Sequence, residues 1–277
     1  MGGRFTRYRT DSYLPAGGEA RSTCVATPES EGFVRTFARG LNIIEVMGQG
    51  TARQTLKDIA EAAGLPRTAV RRFLMTLISL SFVGSDGKHY WLTPKVLRLG
   101  MAYLYALPFW RHAQLALEDL GDRLGQSCAV AVLDGEEVVY VHRIHAKRIL
   151  TMSPSLGSRL PAYAVSLGRI LLANLDDAAL ADYLASAQFK PLTGTTVTSP
   201  DALRAIIEQV RGDRYAWVDG EYDEAIAGLS VAIRDQEGGV VGAVNVTLPA
   251  GTYDRETAVR DYLPELRQTA SRLRAHT

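Results

Sequence analysis

Two residues, Gly64-Leu65, join two helical patterns so tightly that this part of the chain has few ways to fold. Before them, Thr55 is a good N-cap, Asp58 lies in the first turn, and Leu56, Ile59 and Ala60 share one face. Gly64 suits the stop. After them, Pro66 fits the first turn of a helix in which Val70, Phe73, Leu74 and Leu77 make one apolar stripe. A further helix precedes the pair, from Phe33 to Met47, with Phe37, Leu41 and Ile44 on one face and Gly48 at its end. Downstream, Phe82-Val83 and His89-Tyr90-Trp91-Leu92 flank Ser85-Asp86-Gly87-Lys88, a hairpin signal. Helix, helix, tight turn, helix and hairpin make a winged helix-turn-helix.

The third helix carries the chemistry. With its stripe turned inward at about 100° per residue, Thr68, Arg72, Met75 and Ser79 face outward, flanked by Arg67 and Arg71. Arg67 to Ser79 includes three arginines and no acid. Arginine bonds the O6/N7 edge of guanine or holds phosphate. Thr68 and the helix N-terminus suit a phosphate. Lys88 and His89 at the wing tip reach toward flanking DNA. Three arginines on one helix also describe an ordinary solvated face; the preceding helix, tight turn and wing argue for double-stranded DNA.

Charge is distributed accordingly. Residues 1–110 hold 14 Lys and Arg against 8 Asp and Glu, and the remainder 17 against 22, within a net charge of +1. At 277 residues, two domains are expected. Residues 1–30 show no hydrophobic period and read as a disordered tail. Residues 31–93 read as the winged helix-turn-helix. Thr93-Pro94 caps a helix over 94–108, a linker apolar enough to pair with a second copy of itself. From 109 to 277 the pattern is α+β. Helices are expected near 111–124, up to Ala173, and near 178–187, 202–211 and 255–273. Strands are expected at 129–133, 138–142, 149–152, 229–233 and 240–247, forming an antiparallel sheet flanked by helices.

Other classes of function find little support. Cys24 and Cys128 are too few and too far apart for a disulfide framework, which fits a cytoplasmic home. No apolar run reaches about 18 residues, so no membrane partner is expected. His142 and His145 do not make a metal set, and no metal or cofactor is called for. Gly228-Leu229-Ser230 lacks the second glycine of a nucleophile elbow. Gly48-Gln49-Gly50 follows a helix rather than a strand, unlike a dinucleotide fingerprint. No catalytic residues are assigned.

Several blocks resemble the IclR family of bacterial transcriptional regulators, over about Phe33 to Arg274. GLPRTAVRRFLMTL, Gly64 to Leu77, is similar to the family's recognition-helix segment, with Ala69 where a second hydroxyl residue is common after Arg67-Thr68. FVRTFARGLNIIEVMG, Phe33 to Gly48, and LTPKVLRLGMAYL, Leu92 to Leu104, are similar to the subgroup controlling protocatechuate, 4-hydroxybenzoate and β-ketoadipate catabolism. SLGSRLPAYAVSLGRILLANL, VDGEYDEAIAGLSVAI and NVTLP match blocks that border the family's effector cavity. Ala225 and Gly228 stand where Gly and Ser or Cys are common.

The resemblance implies a GAF-like effector domain, a small organic acid effector, and dimers or tetramers on a pseudo-palindromic operator. It places Gly157, Ser158, Ala162, Tyr163, Glu221, Gly228, Ser230, Asn245 and Thr247 at the effector site, and Arg67, Thr68, Ala69, Arg71, Arg72, Lys88 and His89 at DNA. The residues themselves add that Gly157-Ser158 can offer backbone N–H groups to a carboxylate. Asn245 and Thr247, two apart on a strand, face the same way; they also fit an exposed sheet face. An α/β enzyme with an accessory DNA-binding module, and a chromatin protein without ligand, stay open as alternatives.

Overall fold

The computed structural model describes residues 32–107, 109–146 and 155–274, so the tail at 1–30 and the strand expected at 149–152 lie outside the described residues. The chain forms two compact units that divide between Ala106 and Leu107.

The first unit holds three helices, α1 (Arg35–Gln49), α2 (Leu56–Ala63) and α3 (Arg67–Ser79). Thr55 and Asp58 cap α2 reciprocally, the Thr55 side chain accepting from the Asp58 N–H while the Asp58 carboxylate accepts from the Thr55 N–H. Such a cap contributes about 1 kcal/mol. Gly64 ends α2 at φ 63°, in the left-handed region where a β-carbon is costly. Ile43, Met47, Ile59, Val70, Leu74 and Leu77 bury together against Val83, which fixes α3 with its arginines outward. The hairpin, β2 (Val83–Ser85) and β3 (His89–Leu92), gains a third strand that sequence periodicity did not reveal. This is β1 (Gln54–Thr55), paired antiparallel to β3. Gln54 is buried and donates to the carbonyls of Met47 and Thr51, tying β1 to the end of α1. The expected linker begins as a 3-10 turn, Pro94–Val96, and continues as α4 (Leu97–Ala106).

The second unit is built on a six-stranded antiparallel sheet, ordered β6-β5-β4-β9-β8-β7. Its strands are β4 (Ser127–Asp134), β5 (Glu137–Ile144), β6 (Arg159–Pro161), β7 (Ala216–Asp219), β8 (Ile226–Arg234) and β9 (Val240–Pro249). Helices α5 (Trp110–Leu124) and α9 (Arg255–Arg274) cover one face. Helix α6 (Ser166–Leu172) lies on the other, backed by α7 (Asp177–Ser186) and α8 (Pro200–Asp213). This is the α+β architecture read from the sequence. β6 and β7 are additions, each too short to show a period. Among the described residues no helix is long and apolar enough to cross a membrane.

Candidate functional site

Helix α3 exposes Arg67, Thr68, Arg71 and Arg72 to solvent, and Ala69 is half-buried beside them. None of the three arginines forms an ion pair with a described residue. Their charge is therefore available to an external anion. At the wing tip the Asp86 carboxylate accepts from the N–H groups of Lys88 and His89, at 3.0 and 2.7 Å. Those bonds hold the Asp86 carboxyl well below the usual carboxylate range. Asp86 also binds Arg53 at 3.1 Å and faces the His89 ring at 3.3 Å. His89 is thus tied inward, while Lys88 is exposed. Arg53 also lies over the Trp91 ring at 4.4 Å, an exposed cation beside the wing that the sequence reading missed.

The second unit encloses a cavity of about 500 Å³ between the sheet and the start of α6. Ser158, Gly228, Asn245 and Thr247, from the expected set, line it. So do Tyr140, Arg143, Ser166, Tyr222 and Asp223, which the sequence did not single out. A β-carbon at Gly228 would come within 2.6 Å of Ser166 Oγ, so glycine is what lets α6 start this close to β8.

Strand register arranges the floor. Ser230 on β8 lies opposite Asn245 on β9, Asn245 opposite Ala129 on β4, and Ala129 opposite Arg143 on β5. One transverse row therefore runs hydroxyl, amide, methyl, guanidinium. Ser230 Oγ and Asn245 Oδ1 are buried without a hydrogen-bond partner. Asn245 Nδ2 reaches Thr247 Oγ1 at 3.4 Å. At the far end of the row Arg143 Nε is also buried and unpartnered, and no described carboxylate pairs with this guanidinium. Burial pushes the Arg143 pKa down, against the pull of Tyr140 and Cys128. The same burial pushes the Tyr140 hydroxyl up to about 12. Arg143 sits 5.6 Å from the centre of the Tyr140 ring.

The remaining expected residues have other work. Gly157 N–H donates to the Tyr140 carbonyl and Ser158 N–H to the Ser155 carbonyl, so this turn shapes the cavity mouth and has no free N–H pair to offer a carboxylate. Ala162 is fully buried, and the Tyr163 hydroxyl bridges the Lys190 carbonyl and N–H. Glu221 pairs with Arg169 at 2.6 Å, with side chains only 10% and 3% exposed, and accepts from Val197 N–H. That pair anchors the loop that carries Tyr222 and Asp223 into the cavity wall. Ser230 lies beneath the wall rather than in it. His142 points to the opposite face, edge-on to Trp110 at 5.6 Å, and His145 lies beyond the end of β5. Among the described residues no group of His, Cys, Asp and Glu is placed to hold a metal.

Comparison with known proteins identifies both parts of the chain. Residues 36–87 match the family described as IclR helix-turn-helix domain, and residues 101–275 match Bacterial transcriptional regulator IclR C-terminal. The Pca regulon regulatory protein of Pseudomonas putida is 39% identical over 235 residues, 84% of this chain and 81% of that protein. A crystal structure of a transcriptional regulator from Rhodococcus sp. RHA1 superposes with a TM-score of 0.78 at 40% identity, covering 88% of this chain and 98% of that one. The inducer-binding domain of PobR from Acinetobacter, a double mutant in complex with 3-hydroxybenzoic acid, gives a TM-score of 0.56 at 29% identity, over 61% of this chain and 97% of that one.

Proposed function

Because the chain belongs to the IclR family and is a DNA-binding transcriptional regulator, we propose that α3 and the wing tip read its operator while a hydroxylated aromatic acid in the cavity sets the affinity. The observation that carries the ligand reading is the row across β8, β9, β4 and β5. Arg143 and Asn245 stand two strands apart, about 10 Å between backbones. Ala129 between them has only a methyl group, which leaves room for a flat ring. Arg143 is a half-buried cation, its Nε buried, without a counterion among the described residues, and a carboxylate supplies one. Asn245 Oδ1, in the cavity lining, lacks a partner, and a ring hydroxyl supplies a donor. The PobR inducer-binding domain holds 3-hydroxybenzoic acid, in keeping with this chemistry.

Regulation then needs the acid to favour one conformational state over another, a coupling of about 1–3 kcal/mol. The regulator works in the cytoplasm as a dimer or tetramer. Supporting self-association, α1 exposes Val34 at its cap and Phe37, and α4 exposes Leu97 and Tyr105, all above 60%. Two copies would match the symmetry of a palindromic operator.

The test is a titration of the purified protein with 4-hydroxybenzoate, protocatechuate and β-ketoadipate, following melting temperature and binding to its own upstream DNA. A ring acid is expected to raise the melting temperature and change DNA affinity together. DNA binding that ignores all three compounds would remove the ligand assignment and leave the DNA-binding role standing.

A further inference from the structure

A second groove in the same unit, about 350 Å³, opens on five arginines and no carboxylate. It forms where β8 runs on past its neighbour. β7 pairs with β8 only as far as Ser230, so Val231–Arg234 have β9 on one side and no described strand on the other. Ile170 of α6, Val210 of α8 and Ala270 of α9 give the groove an apolar floor, and the arginines rim it.

Arg211 is accounted for by the fold. It donates to the carbonyls of Ala173 and Leu175, closing the end of α6, and pairs with Asp177 and Glu208. Others are held in place without being neutralised. Arg234 donates to the Gly238 carbonyl and the Asn174 side chain, and Arg267 to the Asp213 carbonyl. Neither forms an ion pair with a described residue. A carbonyl orients a guanidinium and leaves its charge intact, which is how a fixed anion receptor is made. Arg214 adds an independent observation. Its φ is 60°, a left-handed position at the end of α8 that glycine fills at least cost, yet the chain has arginine there, facing the groove. All this positive charge gathers in the half of the chain where acids outnumber bases, 22 to 17. Clustering of this kind focuses a local positive field that the net charge does not reveal.

We propose that this groove is a second ligand site, distinct from the aromatic-acid cavity, for a small oxyanion of more than one negative charge. A phosphate ester and a polycarboxylate share the required chemistry, and the probes separate them.

The experiment is calorimetric titration of the full-length protein with inorganic pyrophosphate and with tricarballylate, at ionic strength balanced by sodium chloride. Saturable binding of at least one is expected, and the preferred probe names the class. The Arg234→Gln/Arg267→Gln protein should bind that probe at least about tenfold more weakly with its unfolding midpoint retained. Arg143→Gln, in the other cavity, should bind it as wild type does. Where the double variant does not fold, Arg214→Gly serves, since that backbone position accepts glycine; severalfold weaker binding is expected. Heats that follow ionic strength alone, or unchanged affinity in the groove variants, or loss of binding in Arg143→Gln, would each overturn the proposal.

Discussion

Arginine appears without a carboxylate partner in both units, and the two settings differ in what surrounds it. On α3, Arg67, Arg71 and Arg72 stand in water, which solvates them at little cost until the proposed DNA ligand arrives. In the cavity, Arg143 has lost much of its water and gained only the face of Tyr140, so its charged form is disfavoured. A surface site can wait for its ligand in a relaxed state. An interior site holds an unmet demand that its ligand relieves. The first is therefore tuned for affinity with little effect on folding, and in the second the two are linked.

The largest effect should come from cutting the support of the interior site. Glu221→Ala leaves Arg169 buried without its counterion and is expected to cost about 3–5 kcal/mol. Urea denaturation should show the loss in the transition of the second unit; a change under about 1 kcal/mol would mean the pair does not hold the loop. Next, Arg143→Gln should weaken hydroxybenzoate binding by about 1.5–3 kcal/mol, the worth of a charged hydrogen bond, without lowering the stability of the ligand-free protein. Calorimetry and melting together read both halves, and a variant that binds as wild type would move the carboxylate elsewhere. On the surface side, Arg72→Ala should lose about 1–3 kcal/mol of operator discrimination while stability stays within about 0.5 kcal/mol. Gel-shift competition with scrambled DNA measures this, and retained discrimination would contradict the outward reading of α3.

The smallest expected effect is pH dependence from His142. Burial lowers its folded pKa below the ordinary 6.5, with Glu118 opposing in part. The native state then binds fewer protons than the unfolded chain, so stability falls as pH drops below the unfolded value and is regained above it. His142→Asn should flatten that slope; an unchanged slope would assign it to other groups.

The proposed DNA-reading face was legible because helical periodicity orders it. Val70, Leu74 and Leu77 bury, and that alone turns Arg67, Arg71 and Arg72 outward. In the second unit the strand pattern located the sheet and put Asn245 and Thr247 on one face, yet it hid Arg143. Strict alternation sets Tyr140 and Arg143, three apart, on opposite faces. A register shift between Val130 and Ala131 against β5 adds the extra residue that brings both to the cavity side. Nothing local marks that bulge. Glu221 was noticed as an acid without its partner, because Arg169 lies 52 residues earlier. The Gly157-Ser158 turn was read as a donor pair, and only the fold shows that Tyr140 and Ser155 take both N–H groups.

The central pairing of the sheet has a consequence for synthesis on the ribosome. β4 pairs with β9 from Ser127 opposite Thr247 to Ala131 opposite Ala243. One strand opens the sheet and the other closes it. At roughly 5–20 residues per second, the β4–β5 hairpin waits on the order of 10 s for its other neighbour. During that time β4 presents an open edge lined by Ala129, Val130 and Val132, the kind of strand that recruits foreign chains. The nascent polypeptide is most vulnerable to aggregation in that interval, and a message truncated before Val240 would leave the β4 edge of the hairpin permanently unpaired.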